Sequence, residues 1–111
     1  MGIRQWPVTS KEDAKQLIVW WAEYYGVDIP IALCIIEKES GFYSAAKNKS
    51  SSAAGLGQDI ISTFNSTAIR MGHPEWNSHE HVFNAESNAQ LNMWLMAQDG
   101  VTHWVVWPSC L

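Results

Sequence analysis

The sequence predicts a small all-α or α-dominated domain with one buried central helix. Apolar residues recur at helical spacing in several segments, and capping residues or glycines stand where those segments should begin and end. No segment shows the regular apolar–polar alternation of a half-buried strand. With 111 residues, of which 47% are hydrophobic and 16% charged, the chain has the size and composition of one globular domain over 1–111. Residues 1–8 are predicted to form an N-terminal extension.

The first two helices are predicted from their caps. The stretch Thr9-Ser10-Lys11-Glu12 has the pattern of a capping box, and the helical spacing after it continues to Gly26, where a helix should stop. Asp28 is placed to cap a second helix that carries Pro30 in its first turn. Apolar residues cover nearly all sides of this helix, so we expect it to be the buried central helix and to end near Glu39.

The remaining segments alternate between loops and helices. Residues 43–57 are small, polar and glycine-containing, which predicts a loop or a minimal β-ribbon. A third helix is expected over 58–70 and a fourth from Asn84 or Ser87, with the irregular segment "MGHPEWNSHEH" between them. The aromatic end, "THWVVWPSCL", is expected to form either a short helix or an extended closing segment.

Charge and hydropathy exclude several classes of partner. Seven Lys and Arg against eleven Asp and Glu give a net charge of −4, and no basic run is interleaved with aromatic residues, so nucleic acid is not an expected partner. No apolar run approaches the length of a membrane span. The first thirteen residues lack the charged and apolar regions of a signal peptide. We therefore expect a protein that acts outside the cytoplasm to arrive by another route, or after loss of a leader or a larger parent.

Cysteines and histidines do not form a recognisable metal site. Cys34 lies within an apolar run and Cys110 is the penultimate residue, so either a disulfide or two buried thiols would fit. His79 and His81 are not spaced as a helical ligand pair, and no acidic or thiol partner is obviously placed. The histidines are therefore expected in surface loops, with no metal or other cofactor bound: His73, His79, His81 and His103.

Two carboxylates in "EKESGF" separate into a candidate and a bystander. Glu37 and Glu39 are two residues apart on a helix, so their side chains point to nearly opposite sides and cannot act on one bond. Glu39 lies at the C-terminal end of a buried helix, where the helix dipole and apolar neighbours both raise the pKa of a carboxyl group. A raised pKa is what a general acid needs near neutral pH.

Two further segments carry candidate binding residues. In "SAAGLGQ", Gly55 and Gly57 suit a backbone that closely approaches a ligand. The amide of Gln58 can donate to and accept from the hydroxyl or acetamido groups of a sugar. The segment "NAESNAQLNMWL" has the pattern of a capped amphipathic helix, in which Asn88 and Trp94 invite a functional interpretation.

In this order and spacing, the three segments resemble the catalytic domain of lytic transglycosylases, in the lysozyme-like superfamily that also contains goose-type lysozymes. "IEKESGF" is similar to the family's Glu-Ser-Gly-Phe signature, and "SAAGLGQ" to its Ser-x-x-Gly-Leu-x-Gln signature. "NAESNAQLNMWL" resembles the downstream Asn-containing helix that usually ends in Tyr-Leu. The tail "HWVVWPSC" is similar to the closing Trp-bearing segment of phage-type members. The resemblance covers roughly 12–108.

The resemblance implies cleavage of the β-1,4 bond between N-acetylmuramic acid and N-acetylglucosamine in peptidoglycan, by a protein expected to be a monomer. Glu39 matches the sole catalytic acid, which protonates the leaving oxygen and then takes the proton of the muramyl C6 hydroxyl, closing a 1,6-anhydro ring. The reaction implies no metal or cofactor, and a place of action on the bacterial wall, in the periplasm, outside the cell or on a phage. The implied binding and supporting positions are Ser40, Gly55, Leu56, Gln58, Asn88 and Trp94.

Three departures from the family pattern leave alternatives open. Trp94 stands where Tyr is typical, and Trp104 and Trp107 replace a tyrosine-containing tail motif. Asp59 stands where the family usually has an apolar residue. Facing Glu39 across the cleft, it would position water and give lysozyme-type hydrolysis; the simpler prediction is a helix-start aspartate favoured by the dipole. The departures also suit an inactive domain that binds the cell wall or forms part of a virion.

Overall fold

A computed structural model of the protein describes residues 10–77 and 79–111, and in this part of the chain the secondary structure is almost entirely helical. The predicted α-dominated fold is confirmed. None of these helices has the length and apolar character that crossing a membrane requires. The predicted extension at 1–8, and Thr9, lie outside the described residues. In chain order the elements are α1 (Lys11–Tyr25), α2 (Ile29–Ser40), α3 (Ile61–Arg70), α4 (His79–Phe83), α5 (Ala85–Asp99) and a closing 3-10 helix (Trp107–Cys110).

Side-chain and glycine caps fix the first two helices. The N-cap of α1 is Ser10, whose hydroxyl accepts from the amide of Asp13 at 3.1 Å, one residue later than the predicted capping box. Gly26 ends α1 in the left-handed conformation, with φ of 76°. Asp28 caps α2, as predicted, by accepting from the amide of Ile31 at 3.0 Å. Local sequence alone therefore determines where these helices begin and end.

The main hydrophobic core lies where α1 packs against α2 and α5. Leu17 and Ile18 of α1, Ile35 and Ile36 of α2 and Met93 of α5 are fully buried there. Nine of the fifteen residues of α5 are buried, which makes it the most extensively buried helix of the described residues. Three of the twelve residues of α2 are buried, fewer than expected for the buried central helix, and α2 contacts the closing 3-10 helix of the tail. The most buried position is thus held by α5 and not by α2.

A smaller apolar cluster joins α3, α4 and α5. Its fully buried side chains include Phe64 of α3, Val82 of α4 and Leu91 of α5. α4 begins within the segment predicted to be irregular, so that prediction is wrong for 79–81. His79 and His81 lie in this helix and not in a loop. Five residues are too few for a helical period to show in the sequence.

The segment between α2 and α3 contains a minimal antiparallel ribbon. Ala54 forms isolated bridges with Lys47 and with Asp59, in agreement with the β-ribbon considered for 43–57. α3 begins at Ile61, three residues later than predicted, because Gln58 is held at φ of 53° and cannot be helical. The loop of residues 53–59, called here the Gln58 loop, thus turns sharply before α3.

A disulfide and an indole hydrogen bond fasten the C-terminal tail. Cys34 of α2 and Cys110 of the 3-10 helix are joined, with their Cα atoms 5.7 Å apart, which decides between the two alternatives for the cysteines. The buried Trp104 donates from Nε1 to the carbonyl oxygen of Gly57 at 3.2 Å. The aromatic tail is therefore a closing segment that ends in a short helix and packs on both α2 and the Gln58 loop.

Candidate active site

Glu39 is positioned by the abrupt end of α2. Gly41 and Phe42 follow it with φ of 61° and 63°, both left-handed, and a positive φ in a non-glycine residue such as Phe42 is strained. Phe42 is buried in the main core, which holds this turn in place. The neighbouring Ser40 donates its hydroxyl back to the carbonyl oxygen of Ile36 at 3.2 Å. The chain thus turns away after the last turn of α2 and leaves Glu39 half-buried.

Glu39 opens onto a cavity of about 320 Å³, called here the Glu39 cavity. The Gln58 loop, the start of α3 and the C-terminal tail supply most of its walls. Burial raises the pKa of the Glu39 carboxyl, in the direction expected from the sequence. The other lining residues are Asn48, Ala53, Gly57, Gln58, Asp59, Ile60, Thr63, Leu95, His103, Trp104 and Val105.

Gln58 uses the donor half of its amide to hold its own loop. Its Nε2 donates to the carbonyl oxygens of Ala46 at 3.1 Å and Gly55 at 3.0 Å. An amide NH₂ has two hydrogens, so the side-chain oxygen is the group that remains to accept a hydrogen bond from a ligand. Gln58 lines the Glu39 cavity. The sequence predicted that its amide could both donate hydrogen bonds to a ligand and accept them, but in this structure only its oxygen is left to accept one.

The two glycines of the Gln58 loop are required by close packing against α4 and α5. A Cβ added to Gly57 would lie 2.3 Å from Oδ1 of Asn92, and one on Gly55 would lie 2.3 Å from the carbonyl oxygen of Val82. The close approach expected from the sequence exists, but its partner is the protein itself and not a ligand. Leu56 between them is fully buried in the main core and lies outside the cavity wall.

Gly55→Ala is expected to lower the free energy of unfolding by about 3 kcal/mol, because a Cβ would clash with fixed backbone and the φ of 79° disfavours a side chain. Gly72→Ala is the matched control, since Gly72 has φ of 89° but nothing within 4 Å of an added Cβ. That control should cost about 1 kcal/mol. Urea unfolding of both variants measures the difference; equal losses would contradict the packing argument.

Two asparagines one helical turn apart on α5 hold the Gln58 loop. Asn88 is fully buried; its Oδ1 accepts from the amide of Gly57 at 3.0 Å, and its Nδ2 donates to Oδ2 of Asp59 at 3.0 Å and to the carbonyl of Val82 at 2.8 Å. Asn92, also fully buried, donates from Nδ2 to the same Asp59 oxygen at 2.8 Å. The loop backbone and the carboxylate are thus held from one helix face.

Asn92 was not predicted from the sequence as a site residue. It lies four residues after Asn88, and two amides at that spacing on the apolar face of a helix indicate a buried polar pair. Its Oδ1 is buried and has no hydrogen-bond partner within the part of the chain that the structure describes. A polar pair on an apolar stripe was the signal that could have identified it.

Asp59 is not the helix-start aspartate that was the simpler prediction. It lies before Ile60, the N-cap of α3, and its side chain does not cap that helix. The residue is only 6% exposed and lines the Glu39 cavity. A buried carboxylate is tolerated there because the amides of Asn88 and Asn92 donate to it.

Burial raises the pKa of Asp59 to about 7. The hydrogen bonds from Asn92 and Asn88 lower this pKa, and the charge of Glu39 raises it further. The charge of Glu39 thus contributes to the raised pKa of Asp59, whereas the pKa of Glu39 itself is raised by burial. Near neutral pH much of Asp59 therefore remains protonated.

The free energy of unfolding is expected to fall between pH 4 and pH 7 because of Asp59. The pKa of Asp59 is about 7 in the folded protein, against an ordinary value of 3.8. Between these values the unfolded chain has lost this proton while the folded protein still holds it, so rising pH favours the unfolded state. At about 1.4 kcal/mol per pH unit, the loss should be on the order of 2–4 kcal/mol. Urea unfolding from pH 4 to pH 8 measures it. In Asp59→Asn, which keeps an acceptor for the amides, this slope should disappear; parallel curves for both proteins would contradict the burial of a neutral Asp59.

Two of the predicted site residues, Ser40 and Trp94, do not line the Glu39 cavity. The ring of Trp94 is contacted by the guanidinium of Arg70, whose Cζ lies 5.3 Å from the ring centroid. His103, expected in a surface loop, has an exposed side chain but lines the cavity. Among the described residues, no group of three or more His, Cys, Asp or Glu side chains is arranged to hold a metal ion. Proton transfer and hydrogen bonding are the chemistry that these side chains can supply.

Comparison with known protein families identifies the family of the chain. The family model described as "Transglycosylase SLT domain" matches residues 16–100, well over half of the chain. The match includes Glu39, the Gln58 loop and both asparagines of α5, and it ends before the tail that supplies His103 and Trp104. Searches of the curated proteins and of the solved structures gave no match.

Proposed function

The chain belongs to the transglycosylase SLT domain family, and we propose that it cleaves the β-1,4 bond between N-acetylmuramic acid and N-acetylglucosamine with Glu39 as the single essential carboxyl. The family acts on cell-wall peptidoglycan. The observation that carries the proposal is the half-buried Glu39, whose pKa burial raises, on the wall of a cavity large enough for sugar rings. We further propose that the protein acts on the wall as a monomer.

The proposed reaction consumes no water, and Glu39 is protonated again at its end. The protonated carboxyl gives its proton to the glycosidic oxygen while the bond from that oxygen to the muramyl C1 breaks. The resulting carboxylate takes the proton of the C6 hydroxyl, whose oxygen forms a new bond to C1. A 1,6-anhydro ring results, and one carboxyl suffices because the nucleophile belongs to the substrate.

The surrounding residues support this chemistry by holding a rigid wall. The side-chain oxygen of Gln58 accepts from a sugar substituent in the proposal, while its Nε2 keeps the loop in shape. Asn88 acts indirectly, through the amide of Gly57. The remaining implied residues are assigned supporting positions, since their contacts are with the protein: Ser40, Gly55, Leu56 and Trp94.

Hydrolysis with Asp59 as second carboxylate is the alternative, and one observation favours it: Asp59 and Glu39 line the same cavity. Hydrolysis of glycosides ordinarily uses two carboxyls, one as acid and one as base or nucleophile. Against it, a pKa of about 7 leaves much of Asp59 protonated at neutral pH, and a protonated carboxyl cannot activate water. We therefore favour the anhydro product.

The mass of the soluble products tests the proposal. Purified peptidoglycan is digested with the protein, and the muropeptides are analysed by mass spectrometry. Anhydro ends, lighter by one water than hydrolytic ends, are expected, and they should persist in Asp59→Asn. Reducing ends that disappear in Asp59→Asn would establish the hydrolytic alternative instead. Binding to peptidoglycan without release of muropeptides or loss of turbidity would mean a wall-binding or virion-structural domain.

A further inference from the structure

We infer that His103 is a substrate-contacting residue of the Glu39 cavity, held in position by Asp99 and Arg70, and that it accepts a hydrogen bond from an O–H or N–H of the bound glycan. This inference rests on the proposed function. His103 lies in the tail, beyond the segment that matches the family model, and it is not among the site residues that the family resemblance implies. Its side chain is 44% exposed and the residue lines the cavity together with Glu39.

The imidazole is held through Asp99. Nε2 of His103 lies 3.2 Å from Oδ2 of Asp99, four residues earlier at the end of α5. The guanidinium of Arg70 binds the same carboxylate with two hydrogen bonds of 3.0 Å. These contacts hold the pKa of Asp99 at about 2, so Asp99 is an acceptor throughout the working range of pH.

Arg70 already neutralises Asp99, so His103 is not needed for that role. A bidentate guanidinium already balances the charge of the carboxylate and fixes its plane. Arg70 is itself placed over the ring of Trp94, 5.3 Å from the centroid. Trp94 contacts Arg70, Arg70 binds Asp99, and Asp99 contacts the imidazole of His103. The contact with Asp99 therefore fixes the orientation of His103 on the cavity wall.

That orientation decides which ligand atoms His103 can bind. With Nε2–H donated to Asp99, a neutral ring keeps Nδ1 as an acceptor. An acceptor suits the hydroxyl and acetamido N–H groups of a β-1,4-linked N-acetylated glycan. The neighbouring Trp104 meets the imidazole edge-on, with ring centroids 5.9 Å apart, and is fixed by its bond to Gly57. The ring therefore stands against a buried, hydrogen-bonded neighbour.

His103→Ala tests the inference through a split between KM and kcat. On soluble glycan strands we expect KM to rise about fivefold to tenfold, the loss of about one hydrogen bond, with kcat within about twofold. His103→Gln, whose amide can donate to Asp99 and still offer an oxygen, should recover most of the loss. Asp99→Asn should raise KM by an intermediate amount. Thermal midpoints should stay within a few degrees, because exposed ion pairs stabilise little.

His73→Ala is the matched control. His73 pairs with Glu75 at 2.8 Å and stacks on Trp76, and it does not line the Glu39 cavity. It should leave KM unchanged. Unchanged KM in His103→Ala, or an equal rise in His73→Ala, would overturn the inference while the active parent protein still upholds the proposed function. An inactive parent would remove the proposed function, and this inference with it.

Binding separates contact from turnover. In a Glu39→Gln background, calorimetric titration with a hexamer of β-1,4-linked N-acetylglucosamine should show affinity about fivefold to tenfold lower when His103→Ala is added. Equal affinity with and without the His103 change would overturn the inference by a second route. If the Glu39→Gln/His103→Ala protein binds more weakly by this factor but keeps its thermal midpoint, the loss of affinity reflects a lost contact with the ligand and not a loss of structure.

Discussion

Glu39→Gln is expected to lower the rate of peptidoglycan cleavage on the order of 10³–10⁴-fold, the upper range for loss of a general acid. The effect should be at the upper end because the same carboxyl gives the first proton and takes the second. Gln keeps the shape of the side chain, and Glu39 is half-buried at a helix end, so the fold should survive. Release of soluble muropeptides per unit time, at saturating substrate, measures the change.

Glu37→Gln is the control for this substitution. Glu37 lies on the same helix, two residues earlier, and its side chain is exposed. The identical chemical change there should leave the rate within about twofold, because that side chain does not line the Glu39 cavity. If Glu39→Gln kept more than about a tenth of the parent rate, a single-carboxyl mechanism with Glu39 would be untenable.

Removing the disulfide is expected to lower the free energy of unfolding by about 4 kcal/mol. Cys34 and Cys110 are separated by 76 residues, and a cross-link over so long a loop greatly restricts the unfolded chain. The double variant Cys34→Ser with Cys110→Ser should therefore melt on the order of 20 °C lower than the parent. Calorimetry or circular dichroism on heating measures the midpoint.

The reduced parent protein is the control for the double variant. Treatment with a phosphine reductant should lower the parent's midpoint to about that of the variant, and the variant itself should not respond. A parent midpoint that is indifferent to complete reduction would mean that the native packing of the tail compensates for the lost cross-link. Measuring free thiols before and after treatment establishes that reduction took place.

Local chemistry made the helix ends and the candidate acid predictable. Ser10, Asp28 and Gly26 act through contacts with residues three or four positions away, which a single sequence displays directly. Glu39 was predictable because its helix is apolar and ends abruptly at a glycine. Both inferences depend only on neighbours along the chain.

Long-range pairing made the rest unpredictable. Asp59 is buried because α5 presents Asn88 and Asn92 to it, from 29 and 33 residues further along the chain. A sequence shows an aspartate before a helix, which usually remains in water. His103 was assigned to a surface loop; its contact with Asp99 is local, four residues apart, but its place on the cavity depends on tertiary packing.

Gly57 is held on both sides of its Cα atom, since its N–H donates to Oδ1 of Asn88 and its carbonyl oxygen accepts from the indole of Trp104. Deuterium from solvent should consequently replace that amide hydrogen about as slowly as those of the core helices, since no local opening frees it. Ser50 to Ser52, which directly precede the Gln58 loop, are exposed. If the proposed function holds, we expect the backbone at Gly57 to keep its position when a glycan binds, and any local adjustment to come from exposed residues such as these.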